Sequence, residues 1–264
     1  MKRSLVLSLL ACFPLTNALH AATPDCGARP ISIALYEFGL LFNNGRGIDR
    51  DVIDELRHRS GCRFDISVRP RARIWQELEA GTLDMSVSGI QNPTRDRFAW
   101  FAPYLTLKNI SLLDLPAGSP STASAFLADT RLRWGAVRAF RHGESADTFL
   151  DQLRQQGRVL EGQNVAQVFA MLKSGRVQGM FAQSPVYRMH LTDDEANHRY
   201  RLVDWAPHEA AVPHSLILAK SRFSAEQAAL WQGLVQSMVT DGTMLRILQR
   251  YLPKEEAAAH MLAR

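Results

Sequence analysis

Three arginines, Arg69, Arg71 and Arg73, alternate over five positions. Guanidinium groups hold carboxylates and phosphates with paired N–H donors, so this cluster reads either as a solvated basic loop or as an anion site. A second feature is the stretch Phe140 to Ser145, which leads into a helical pattern. Free backbone N–H groups at a helix start favour an anionic group. Ser145 is placed to contact one, and Glu144 reads as a first-turn acid that suits the dipole. The residues of nucleophilic catalysis do not assemble: there is no Ser-His-Asp arrangement, no cysteine nucleophile and no phosphate loop. The eight histidines have no clustered metal spacing. His208 and His214 stand alone and read as surface or capping residues. No cofactor and no metal is expected.

Elements that would position these groups alternate along the chain. Ile31 to Tyr36 reads as a buried strand, and Asp49 to Arg59 as a helix with Val52, Ile53 and Leu56 on one face and Ser60-Gly61 as its stop. Phe64 to Val68 reads as a strand. Ile74, Trp75 and Leu78 make a helix face ended by Gly81, and Leu83 to Ser88 reads as a strand. Strands alternating with helices predict a parallel α/β sheet. The turn-rich stretch Leu115 to Ser121 then resets the pattern. After it come a strand at Arg133 to Val137, a helix at Ala146 to Gln155, a helix carrying Val165, Val168, Phe169 and Leu172, and a strand at Val177 to Phe181. The segment Leu78 to Val87 echoes Leu172 to Phe181: apolar helix end, glycine stop, apolar strand. The echo predicts two lobes of like construction. Pro213 to Ala219 reads as a strand returning between them. Ser224 and Gln227 have capping-box spacing ahead of a helix carrying Leu230, Trp231, Leu234, Val235 and Met238. Asp241-Gly242 breaks it, and Met244 to Tyr251 forms another, ended by Pro253.

The first residues have a different character. A basic start (Lys2, Arg3), an apolar run from Ser4 to Cys12 and small residues near Ala18, Ala21 and Ala22 make the three-part pattern of a secretory signal over residues 1–22. A lipoprotein signal ending at Cys12 is the rival reading; it leaves the small residues near Ala21 without a role. The expected product is periplasmic. Without Lys2 and Arg3 the chain keeps 29 basic and 26 acidic side chains. Apart from the 69–73 cluster these are scattered, whereas a nucleic-acid partner would call for a broader basic face. Cys26 and Cys62 remain, an even pair in an oxidising compartment, which predicts a disulfide. Each stands just before a strand-like run, and the starts of neighbouring parallel strands lie about 5 Å apart.

Four stretches resemble, in order, the family 3 extracellular solute-binding proteins. Gly47-Ile48-Asp49-Arg50-Asp51-Val52 is similar to that family's helix start, and Leu78 to Gly89, with Gly81 and Asp84, to its strand ending in Ser-Gly. Thr94-Arg95-Asp96-Arg97 with Phe101-Ala102-Pro103-Tyr104 resembles its Thr-Pro-Glu-Arg…Phe-Ser-x-Pro-Tyr segment. Thr240 to Thr243 with Tyr251-Leu252 resembles its closing signature. The resemblance implies a type II periplasmic binding fold: two Rossmann-like α/β lobes joined by two hinge strands, lobe 1 from 23–110 and 213–264 and lobe 2 from 111–212. A solute would be bound where strand ends meet across the cleft.

Carried onto this sequence, the resemblance implies ligand contacts from Tyr36 and Phe38 after the first strand, from Ser88 and Gly89, and from Thr94 and Arg97. The arginine would clamp a carboxylate, with Arg95 the alternative because Arg97 to Phe101 is shorter than the usual family spacing. Ser145 and Gln183 would serve from lobe 2. Gln183 stands where amino-acid binders carry an acid for the ligand ammonium, so the expected solute is small, polar and carboxylate-bearing rather than a standard α-amino acid. The expected protein is a monomeric receptor, feeding an ABC permease or acting as a sensor. The competing reading is a dehydratase-like enzyme acting on a small cyclic acid, with Glu37, Glu144 and His142 as its candidate acids or bases.

Overall fold

A computed structural model describes residues 23–262, so the signal expected over 1–22 lies outside the described residues. The first lobe is built on β1 (Ile31–Leu35), β2 (Phe64–Val68), β3 (Met85–Gly89), β4 (Ala99–Leu107) and β10 (Val212–Ala219), in the order β2-β1-β3-β10-β4. The second is built on β5 (Ile110–Leu113), β6 (Trp134–Val137), β7 (Val159–Gly162), β8 (Gly179–Ala182) and β9 (Arg201–Val203), in the order β7-β6-β8-β5-β9. The two orders correspond strand for strand. In each, a parallel trio is followed by one antiparallel strand and an antiparallel-paired edge. β3 and β8, the strands of the sequence echo, occupy matching places.

Both sheets are therefore mixed, where alternation alone predicts parallel. The reason is connectivity. β5 enters the second lobe and β10 comes back into the first, and each inserts beside the third parallel strand in the opposite sense. Pro213 to Ala219 is a strand as expected, but it lies inside the first sheet between β3 and β4; the chain passes between lobes at 108–109 and 204–211. Pro103 is tolerated because β4 is an edge, where a missing N–H need not be replaced.

Helices α1 (Ile48–Ser60), α2 (Arg71–Glu79), α7 (Ala225–Thr240), α8 (Thr243–Gln249) and α9 (Lys254–Ala259) belong to the first lobe; α3 (Ala123–Ala128), α4 (Glu144–Gln155), α5 (Val165–Lys173) and α6 (Ser184–His190) belong to the second. On α1, Ile48, Val52, Ile53 and Leu56 are buried, and Gly61 closes the helix in the left-handed region, φ 70°. The capping box at α7 is half formed. Ser224 accepts from the Gln227 N–H, but the Gln227 side chain instead accepts from the N–H of Asp25, tying down the start of the described chain. The disulfide between Cys26 and Cys62 is present, with Cα atoms 5.2 Å apart, where Ile31 pairs with Phe64 in parallel register. One face of the second sheet carries a separate aromatic cluster around Trp134, Phe126, Phe149, Phe181 and Trp205. No helix among the described residues is long and apolar enough to cross a membrane.

Candidate functional site

The lobes meet where the carboxyl end of β1 faces the loops after β6 and β8. Phe38 is the central contact. Its ring lies 5.2 Å from Tyr36, 5.2 Å from Phe140 of the second lobe and 6.2 Å from His214 on β10. Just beyond it, Gly39 sits in the left-handed region (φ 59°). A Cβ there would collide with the backbone of Pro185 and Val186 on α6. Only glycine combines that conformation with that approach.

Two arginines are buried beside this contact. Arg71, from the basic cluster, is 2% exposed. It donates to the carbonyls of Val87 (3.2 Å) and Ser88 (2.9 Å) and lies over the rings of Tyr36 (4.3 Å) and Trp75 (4.8 Å). Arg95 donates to Ile90 O (2.6 Å) and, across the cleft, to Ala139 O (3.0 Å), with its guanidinium 3.7 Å from the Trp75 ring centre. Among the described residues neither has a carboxylate within 4.0 Å. Aromatic faces and carbonyl dipoles hold both cations. Burial, then the charges of Arg71 and Arg141, push Arg95 down to about 9. Burial lowers Arg71 as well, against Tyr36 and Asp49.

The strand end behind them is rigidly fixed. Ser88 adopts φ 50°, an uncommon conformation for a residue with a side chain. Its N–H donates to Tyr104 Oη (2.8 Å), and its hydroxyl donates to Asp49 (2.8 Å), which also accepts from Tyr104 (2.5 Å). Burial raises Asp49 to about 7, opposed by the bonds from Tyr104 and Ser88 and by Arg71. The Ser88 hydroxyl thus faces the first lobe's interior, while its carbonyl faces Arg71.

The sequence-predicted contacts divide accordingly. Tyr36, Phe38 and Gln183 gather at the junction of the lobes, while Ser88 bonds within the first lobe and Gly89 packs on Ile217 and Phe101 of the first sheet. Arg97 is exposed and folds its Nε back to Thr94 O (3.2 Å), keeping Thr94 on that outer turn; the guanidinium at the junction is that of Arg95. Ser145 donates to Glu209 (2.7 Å) on the second crossing, away from Arg71. Gln183 is buried and donates to Asn109 (2.6 Å), which also contacts the His142 ring (3.3 Å). His142 and His214 are both buried, and burial above all pushes each down to about 3. His214 is therefore a neutral wall residue, not the surface residue its isolation predicts. Arg71, Trp75, Phe140 and His214 were not singled out individually as site residues. Only Arg71 carried a signal, through its cluster.

A cavity of about 190 Å³ opens at the mouth, shared by both lobes and lined by Tyr36, Glu37, Arg69, Arg71, Gln163 and Asn164. Three polar atoms of residues that line it, Tyr36 Oη, Glu37 Oε2 and Arg71 Nε, are themselves buried and have no hydrogen-bond partner among the described residues. Buried polar groups are ordinarily paired, because an unpaired one costs about 1–3 kcal/mol. Glu37, an acceptor, and Arg71, a cationic donor, beside one interlobe cavity make a lining that suits a small polar molecule. No group of three or more metal-ligating side chains is assembled among the described residues.

A pair of α/β lobes with a polar cavity between them defines the class of two-lobed solute receptors. The family model for bacterial extracellular solute-binding proteins, family 3, matches residues 35–254, and the chain belongs to that family. Comparison with curated proteins gave no match. Among solved structures, an ancestral arginine-binding protein bound to arginine is similar at TM-score 0.69 and 17% identity, over 85% of this chain and 98% of that one. The arginine-, lysine-, histidine-binding protein ArtJ from Geobacillus stearothermophilus gives TM-score 0.69 and 17% identity, over 87% and 100%. The ancestral amino acid-binding protein AncCDT-1, a precursor of cyclohexadienyl dehydratase, gives TM-score 0.69 and 18% identity, over 85% and 96%. At these identities the likeness is one of fold.

Proposed function

We propose that the protein captures a small, carboxylate-bearing, amino-acid-like solute in the mouth cavity between its lobes, in the periplasm, and delivers it to an ABC-type importer or reports it as a sensor. The lining of that cavity by Glu37 and Arg71, whose Oε2 and Nε lack partners, carries this reading. A carboxylate suits Arg71, with Arg95 close behind it. A donor on the solute suits Glu37, which offers the acidic partner that Gln183 does not. The names of the similar structures, which bind amino acids, agree with this chemistry. A dehydratase precursor shares the fold, but burial keeps His142 and His214 neutral, and neither lines the mouth cavity.

The test is thermal unfolding against a panel of small acids, amines, amides and amino acids. A true ligand at about 100 times its dissociation constant adds about 2.7 kcal/mol. For a chain of this size that raises the midpoint by roughly 5–10 °C. Arg71→Ala is expected to weaken binding on the order of 10- to 100-fold by removing charge-assisted bonds. Arg97→Ala is expected to leave it intact. A panel in which no compound shifts the midpoint, or a shift untouched by Arg71→Ala, contradicts the proposal.

A further inference from the structure

A second, larger cavity of about 1020 Å³ lies at the hinge, outside the mouth cavity and sharing no lining residue with it. Both crossings wall it: Leu107 to Asn109 on one side and Trp205 to Pro213 on the other, with the start of α4 between them. Its size is at the upper end of the range for small-molecule sites. The cavity continues the aromatic face of the second sheet. Phe149 and Phe181 form its floor, each mostly buried, and Trp205 stands half-buried beside them, 5.1 Å from Phe149 and 6.0 Å from Phe181.

Of the polar groups on its walls, Glu144 and His208 are exposed to solvent, Lys108 and Glu209 are paired, and one buried hydroxyl is not. Lys108 Nζ bonds the carbonyls of Ala206 and Glu209 (2.6 Å to the latter) and lies 3.5 Å from Asp204. Glu209 accepts from the Ser145 hydroxyl. Lys108 on the first crossing and Glu209 on the second are thus occupied in holding the second crossing in place. Ser111 on β5 differs. It is 1% exposed, it lines the cavity, and its hydroxyl has no partner among the described residues. A buried hydroxyl without a partner is disfavoured by about 1–3 kcal/mol unless something supplies one.

We propose that the hinge cavity is a second binding site, for an uncharged, ring-bearing apolar molecule with one hydrogen-bonding group. The ring lies on Trp205, Phe149 and Phe181, where offset or edge-on aromatic packing is favourable. The polar group pairs with the Ser111 hydroxyl. Lys108 and Glu209 are already paired, and the Glu144 carboxylate lies in solvent, where an ion pair adds little, so the site does not reward a charged ligand. An occupant touches both crossings, the segments about which the lobes would move.

Indole is the probe, followed by saturation-transfer NMR and titration calorimetry on the full chain. Saturable binding is expected. Ser111→Ala is expected to weaken it about five- to tenfold, the loss of one net hydrogen bond. Ala146→Trp, on the cavity wall at the start of α4, is expected to abolish it by filling the space; Ala211→Phe on the second crossing serves in its place where the melting curve shows Ala146→Trp does not fold. Absence of saturable binding up to the solubility limit of indole overturns the proposal. So does binding that neither Ser111→Ala nor the folded blocking variant alters.

Discussion

Arg95 and Arg97 differ by two positions and by environment: one is packed on Trp75 and bridges to Ala139, the other lies in solvent. The sequence favoured Arg97 and offered Arg95 only as the alternative, on the short spacing from Arg97 to Phe101. The role of Arg71 was half legible. Its cluster invited an anion-site reading, but nothing in the pattern says that Arg71 turns inward while Arg73 pairs on the surface with Glu77. His214 was illegible, since a lone histidine in a strand shows its burial only once its neighbours are known.

The same buried residues predict how stability depends on pH. His142 and His214 are about 3 in the fold and near 6.5 when unfolded, so the unfolded chain binds two more protons between those values. Their contribution is complete above pH 6.5 and is lost as pH falls toward 3. His190 and His260, also lowered by burial, add the same sign. Asp49 opposes them. Raised from 3.8 to about 7, it favours the fold at low pH and loses that contribution as pH rises through 7. Net proton uptake on unfolding is about one between roughly pH 4 and 5.5, or roughly 1.4 kcal/mol lost per pH unit of acidification, and it falls off toward pH 6.5. Urea melts across this range are expected to show that slope. The double variant His142→Gln, His214→Gln should flatten or reverse it, and Asp49→Asn should steepen it. A profile rising toward acid in the unaltered protein would contradict these assignments.

Among the elements, those that declared themselves were the strands and helices with long apolar periods: β1, α1, β2, α2 and α7. β5, β7 and β9 are three or four residues long and gave no periodic signal, although β5 and β9 build the antiparallel side of the second sheet. A short strand takes its identity from its partners. The disulfide was legible because both cysteines precede strands that pair from their first residues. It closes a loop of 36 residues, which the chain-entropy account values at about 4 kcal/mol. Reduction, or Cys26→Ser with Cys62→Ser, is accordingly expected to lower the thermal midpoint by roughly 10 °C; an unchanged midpoint would show that the link does not constrain the unfolded chain. At Gly39, the short turn Gly39–Leu41 rests directly on α6. Gly39→Ala is expected to spread the lobes, read as a larger radius of gyration by solution scattering.

At the scale of the molecule, the repeat was visible as one echoed segment and proved to be a correspondence of whole sheets. The mixed sense of the sheets was not visible, because periodicity reports burial and not direction. The lobes touch through Phe38 and Phe140, through Arg95 and Ala139, and at the far side through Ser184 with His260 (2.9 Å) and Arg188 with Glu256 (2.8 Å). Between these contacts lies the cavity to which both lobes contribute.

Backbone amide NMR with the most stabilising compound of the solute panel tests that arrangement in one titration. The shifts are expected to centre on Tyr36, Glu37 and Arg71 in one lobe and on Gln163 and Asn164 in the other, moving together with a single dissociation constant. Shifts confined to one lobe, or centred away from these residues, would contradict capture between the lobes.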